Sequence, residues 1–222
     1  MAKEASHMKT LGMALILLTP GSLFTLADCR QPPRPAFERQ PDQIVTTISS
    51  PTVKAVVEDA LEQTRYTVSY DPSYVKLEYP GGDVPLDRGV CSDVVVRAFR
   101  RAGVDLQKEI HEDMKRSFSA YPQQWGAKRP DSNIDHRRVP NLMTYFKRSG
   151  KEIPMTRDPE AYLPGDVVAW DLGNGLVHIG LVSNIKDRGA TNRSIIHNIG
   201  AGARVEDVLF SWKIIGHYRY FN

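Results

Sequence analysis

Cys91, His178 and His197 are the residues whose types and setting could together carry out acyl transfer. Cys91 stands where a glycine-containing loop, Asp87-Arg88-Gly89-Val90, runs into a predicted helix. A helix start carries partial positive charge and free N–H groups, which favour a thiolate over a thiol. The same N–H groups can hold an oxyanion. A thiol with its usual pKa of about 8.5 is mostly protonated at neutral pH, so a base is also needed. The chain has 6 histidines. His7 falls in what reads as an added tag. His111 lies beside Glu112 and Asp113 on an amphipathic helix, His136 lies beside Arg137 and Arg138, and His217 begins the last strand. His178, in Leu176-Val177-His178-Ile179-Gly180, sits on a strongly apolar predicted strand. A histidine there is more often a satisfied core residue, but a cysteine at a helix start gives it a partner. His197 or Asn198, on the next strand, can orient the His178 ring, and alternation leaves both open. The residue types also suit zinc, but no CxxC or HxxxH spacing supports it. No metal or other cofactor is expected.

The 2 cysteines do not read as a pair. Cys29 precedes a proline-rich stretch, Pro32, Pro33, Pro35 and Pro41, and a bridge to Cys91 would staple a tail to the core. A lone thiol in an oxidising compartment invites oxidation, so its retention suggests chemistry. A small buried hydrophobe is the competing reading, and composition alone balances the two.

The elements that must position these residues follow from pattern. Residues 1–27 read as a tag plus a signal peptide: Lys9, the apolar run Leu11 to Leu18, Pro20, then a small-residue site ending at Ala27. That run is too short for a spanning helix, so no stable membrane insertion is expected after cleavage. The product would be periplasmic or secreted, with lipidation at Cys29 a minority alternative, because Asp28 stands where a small residue is wanted. Residues 28–50 read as a proline-rich linker and 51–222 as one domain. Helices are expected over Val53 to Thr64, Cys91 to Ala102, Leu106 to Phe118 and Pro140 to Arg148. Strands are expected at Tyr66 to Tyr70, Val167 to Trp170, Leu176 to Val182, Ser194 to Ile199 and Ile214 to Phe221, with a hairpin at Gly173-Asn174-Gly175. Helices followed by an antiparallel meander indicate an α+β fold. With 222 residues, 41% hydrophobic and 25% charged, the chain suits one well-packed domain. A net charge of +3 without a run of like charges points away from a nucleic-acid partner.

The series Tyr79-Pro80-Gly81-Gly82, Cys91-Ser92, Pro164-Gly165-Asp166-Val167-Val168 and His178-Ile179-Gly180-Leu181-Val182 resembles the NlpC-type, papain-like cysteine peptidases. Residues from about 50 to 222 also resemble the bacterial family catalogued as domain of unknown function 1287, closely at Gly81 to Asp93, Asn133 to Leu142 and His197 to Gly200. The resemblance implies a papain-like fold with the nucleophile at a helix N-terminus against a C-terminal antiparallel sheet. It implies amidase or endopeptidase action on peptidoglycan stem peptides, with Cys91 as nucleophile, His178 as base and His197 as the orienting residue. By the same resemblance Tyr79 lines the substrate groove and contributes to the oxyanion site, and Ser92 is the serine after the nucleophile. Asp93, a charge where the family has glycine, is counted with the substrate-binding set or else simply caps the helix. An acyltransferase or a non-catalytic wall-binding module is the alternative. The family usually carries Asp-Cys-Ser-Gly at the nucleophile, where this chain has Val90-Cys91-Ser92-Asp93. The lost aspartate removes a feature that binds a free amino terminus in those peptidases. The segment from about 105 to 150 exceeds a minimal member. It either roofs the groove, bringing Trp125, Asp135, His136 and Arg137 over it, or forms a surface helical subdomain.

Overall fold

In a computed structural model of the protein, residues 42–222 are described. The expected tag, signal segment and Cys29, and the linker as far as residue 41, lie outside these residues. Within the expected linker, Gln43–Val45 is instead a strand (β1). It pairs antiparallel with Ile185–Asp187.

Helix α1, Pro51–Tyr66, starts as its sequence dictates: the Val53 N–H bonds to the Ser50 hydroxyl at 3.4 Å, and Pro51 occupies the first turn, where no N–H is missed. Two short strands follow, β2 (Ser69–Tyr70) and β3 (Arg88–Gly89), paired in parallel with Tyr70 opposite Gly89. Helix α2, Cys91–Arg101, is buried on nearly every side, with Val94, Val95, Ala98 and Phe99 in the core. Arg97, which the apolar pattern places off the core stripe, is buried as well. Its guanidinium grips Asp83 through two bonds (2.9 and 3.2 Å) and donates to the carbonyls of Val84, Pro85 and Arg88, fixing the loop before β3.

Helices α3 (Leu106–Ser117) and α4 (Val139–Arg148) come from the expected insertion. Leu106, Ile110, Met114, Leu142 and Phe146 share one core cluster with α1 and α2. The segment is therefore part of the domain's own core and not a surface subdomain.

Strands β4 (Val167–Gly173), β5 (Leu176–Val182), β6 (Ile185–Asp187), β7 (Ile195–Asn198), β8 (Ala203–Glu206) and β9 (Lys213–Tyr218) complete the chain. Five of them form a sheet in the order β8-β7-β5-β4-β9, all neighbours antiparallel. The expected meander holds from β4 to β8; β9 then returns to the far side of β4. Alternation gives the sheet two buried faces. Val167, Ala169, Ile179, Leu181 and Ile196 pack with the helices, while Val168, Trp170, Val182 and Ile195 pack with Tyr162 and Leu209. The fold is α+β, with α2 against the sheet and Cys91 at its first residue.

Candidate active site

Cys91 is a free cysteine, 4% exposed. Its sulfur is met by the backbone N–H groups of Cys91 and Ser92 at the start of α2, and by that of Ile179 on β5. The Ile179 N–H belongs to the peptide link that joins it to His178, so the thiol rests against the backbone carrying the second candidate. The Tyr70 hydroxyl also bonds the thiol.

His178 is held on β5 directly opposite Trp170 on β4. The two rings stack with centroids 5.7 Å apart, and Trp212 closes on His178 edge-on at 5.9 Å. Its Nε2 lies 2.8 Å from Nδ1 of His197, and Nε2 of His197 lies 2.8 Å from a carboxylate oxygen of Glu206 on β8. With Nε2 engaged, Nδ1 of His178 is the ring nitrogen left for a thiol. Gly180 allows this approach: a Cβ there would meet Ile195 at 2.8 Å, the Ile196 carbonyl at 3.0 Å and the Cβ of His197 at 3.1 Å.

Between His197 and Asn198, the geometry selects His197. Asn198 points the other way, its amide donating to the carbonyls of Ser69 (3.1 Å) and Gly89 (2.9 Å), which ties β7 to the β2–β3 pair beside Cys91. Glu206 escaped sequence reasoning because β8 is four residues long and follows the glycine-rich stretch Gly200 to Gly202. The alternation Arg204-Val205-Glu206 is too short a signal to stand alone.

The three residues expected to bind substrate are placed elsewhere or otherwise occupied. Tyr79 donates its hydroxyl to Glu112 on α3 at 2.7 Å and meets the His111 ring edge-on, and the tyrosine at the thiol is Tyr70. Ser92 is fully buried and donates to the Arg137 carbonyl at 2.7 Å. Asp93 is buried too, and its carboxylate does two structural tasks. It accepts the Val90 N–H at 2.7 Å, closing the helix start, and it takes the Arg137 guanidinium through two 2.9 Å bonds. Arg137 continues to the carbonyls of Ser73 (2.9 Å) and Asp71 (3.1 Å). Gly89 makes room, since a Cβ there would stand 3.0 Å from the Asp93 carboxylate. Of the four residues expected over the groove, Asp135 and His136 are buried away from it, Arg137 is buried but lines it, and Trp125 is exposed to it.

A cleft of about 410 Å³ opens over Cys91, its walls including Tyr70, Tyr74, Trp125, Arg138 and Val177. Trp125 is 60% exposed and holds φ at 56°, a left-handed conformation that costs an aromatic residue about 1 kcal/mol or more. The Arg138 guanidinium lies over its ring at 4.7 Å. Among the described residues, no carboxylate lines this cleft.

Burial governs the electrostatics. It pushes the Cys91 thiol up to about 11, with the neighbouring Asp93 charge adding to the rise and the Ile179 N–H opposing it. This overturns the expectation of a thiol lowered by the helix N-terminus: desolvation outweighs the helix-start N–H groups. Burial drives His178 down to about 3, assisted by His197, and it also lowers His197, which Glu206 opposes. The Tyr70 phenol is pushed up to about 12, again chiefly by burial. At neutral pH the resting site is thus a neutral thiol, a neutral imidazole and a phenol able to donate. Among the described residues, no three His, Cys, Asp or Glu side chains are grouped to hold a metal ion.

Residues 57–220 match the family described as Domain of unknown function (DUF1287). The chain is 52% identical over 208 residues to the uncharacterized protein YijF of Escherichia coli K12, covering 94% of this chain and 98% of that one. Among solved structures, NlpC1 of Trichomonas vaginalis aligns with TM-score 0.43 and 14% identity over 80% of this chain and 47% of its own. A lipoprotein-like protein of the NLP/P60 family from Staphylococcus aureus aligns with TM-score 0.40 and 14% identity, over 80% and 44%. This chain spans less than half the length of either solved protein.

Proposed function

The chain belongs to the DUF1287 family, and from that premise we propose that it is an exported cysteine amidase or endopeptidase acting on peptidoglycan stem peptides. The observation that carries the reading is the placement of a thiol at a helix start against the His178 peptide, with His178 in turn bonded to His197 at 2.8 Å. A nucleophile, a base and a group that orients the base are the parts acyl transfer requires.

The chemistry follows from the resting state. Because thiol and imidazole are both neutral, the proton passes from Sγ to Nδ1 of His178 as sulfur attacks the scissile carbonyl. The oxyanion of the tetrahedral adduct forms beside the Cys91 and Ser92 N–H groups and the Tyr70 hydroxyl, all of which already point at the sulfur. His178 returns the proton to the leaving amine, and the C–N bond breaks to leave a thioester on Cys91. A water molecule, deprotonated by His178, then hydrolyses the thioester. The cleft supports a substrate without a free ammonium near the scissile bond: it offers Arg138 and aromatic walls, and Val90 stands where the related peptidases carry an aspartate. The export pattern of residues 1–27 supports a wall-side location.

Purified muropeptides incubated with wild type and with Cys91→Ala, then resolved by mass spectrometry, test the proposal. Wild type should yield shortened peptides carrying a new carboxylate, and the variant none. Identical product profiles would end the reading.

A further inference from the structure

Glu206 stands at the end of a hydrogen-bonded series that begins at the candidate base. The series has a direction. For His178 to take a thiol proton it must present a bare Nδ1, so its resting proton sits on Nε2. That Nε2–H then donates across the 2.8 Å contact to Nδ1 of His197. An Nδ1 that accepts obliges His197 to carry its own proton on Nε2. That nitrogen lies 2.8 Å from Glu206 Oε2, and an ionised carboxylate can only accept. Reversing His178 alone would set two bare nitrogens against each other between the histidines, and reversing His197 would set two acceptors against each other at Glu206. The burial of both imidazoles removes water as a substitute partner within the series.

We propose that Glu206 is a positioning residue that fixes the proton on Nε2 of His197 and, through that ring, the proton on Nε2 of His178, leaving Nδ1 of His178 open to the thiol. The inference rests on the reading of His178 as base. It adds that the base is set from three strands, β5, β7 and β8, by a carboxylate that never meets the substrate.

Three substitutions separate this from a merely structural role. Glu206→Gln keeps an acceptor oxygen and preserves the proton arrangement. Glu206→Ala leaves the partly exposed position to water, which accepts or donates and so mixes the two arrangements. Glu206→Lys presents only donors, forces the His197 proton to Nδ1 and drives the His178 proton onto Nδ1, the nitrogen that the proposed function assigns to the thiol. Two readouts apply to the purified chain: imidazole 15N chemical shifts, which report the protonated nitrogen of each ring, and the rate of Cys91 alkylation by iodoacetamide at pH 7.5. Wild type and Glu206→Gln should show both protons on Nε2 and alkylate within about threefold of each other. Glu206→Ala should be slower, and Glu206→Lys should lose roughly 100-fold, the lower end of what a general base contributes, with both protons moved to Nδ1. Protons on Nδ1 in wild type, or alkylation of the lysine variant at the wild-type rate, would overturn the inference. Neither readout uses a peptide substrate. If the 15N and alkylation pattern holds while muropeptides remain intact, the inference stands and the substrate assignment alone fails.

Discussion

Two couples of a buried histidine with a carboxylate occupy opposite ends of the same five-stranded sheet. At one end His197 bonds Glu206 at 2.8 Å, and at the other His217 on β9 bonds Asp166, just before β4, at 2.9 Å. By distance and by burial of the imidazole the two are alike, but Asp166 is buried where Glu206 is partly exposed, and they differ in what is left over. His217 has both nitrogens occupied, since its Nδ1 meets the Pro154 carbonyl at 3.3 Å. Asp166 is also shared with Arg219 through bonds of 2.8 and 2.7 Å, and Tyr162 stacks on the ring at 4.1 Å. Every donor and acceptor there is spent on the fold. At the other end the couple passes its order on to a third ring, His178, which keeps one nitrogen for a thiol. An acid beside a histidine does not by itself suggest a reactive site; the proposed function rests on the unspent nitrogen at the end of an ordered series.

The contrast predicts opposite phenotypes. His178→Ala should cost roughly four orders of magnitude or more in kcat on a cleaved muropeptide, while its melting temperature shifts by only a few degrees. A comparable rate in the variant would reduce His178 to a core residue. Asp166→Ala should do the reverse. It strands His217, Arg219 and the Leu163 N–H, so unfolding in urea should show a loss of about 3 kcal/mol, with kcat per folded molecule unchanged. A stable but inactive Asp166→Ala would erase the distinction between the two ends.

The smallest effect is in pH dependence. His178 has its folded pKa depressed to about 3, and His197 is lowered as well, so the unfolded chain binds protons that the folded chain refuses. Their contribution to stability is present above the ordinary histidine value of about 6.5 and fades as the pH falls toward 3. Denaturation midpoints measured from pH 7 to pH 4 should fall, and the fall should be shallower in His178→Ala. Parallel profiles for the two proteins would mean that His178 is solvated after all.

Legibility in the sequence divides along local and non-local lines. The helices containing Val56, Phe99 and Leu142 and the hairpin at Asn174 were readable because their signals are periodicity, caps and turn residues within a few positions. Cys91 and His178 stood out by type and placement on those elements, whereas alternation left His197 and Asn198 both open and the family resemblance named His197. Tyr70 was not: its position depends on β2 pairing in parallel with Arg88–Gly89, 19 residues on by the register Tyr70 to Gly89, and no local pattern announces so short a pair. The same holds for Ser92 and Asp93. Beside Cys91 they read as substrate contacts, with a helix cap as the alternative for Asp93, and the partner that occupies both, Arg137, lies 44 residues downstream of Asp93.

That arginine decides whether the domain can be made smaller. The 105–150 segment looks removable on a linear map, as an addition to a more compact hydrolase. Its Arg137 nevertheless neutralises a carboxylate two residues from Cys91 and fastens the Asp71–Ser73 turn next to Tyr70. Excising the segment would leave Asp93 charged and unpaired in the interior. A trimmed version would therefore need a neutral residue at position 93 before its nucleophile could be compared with that of the intact protein.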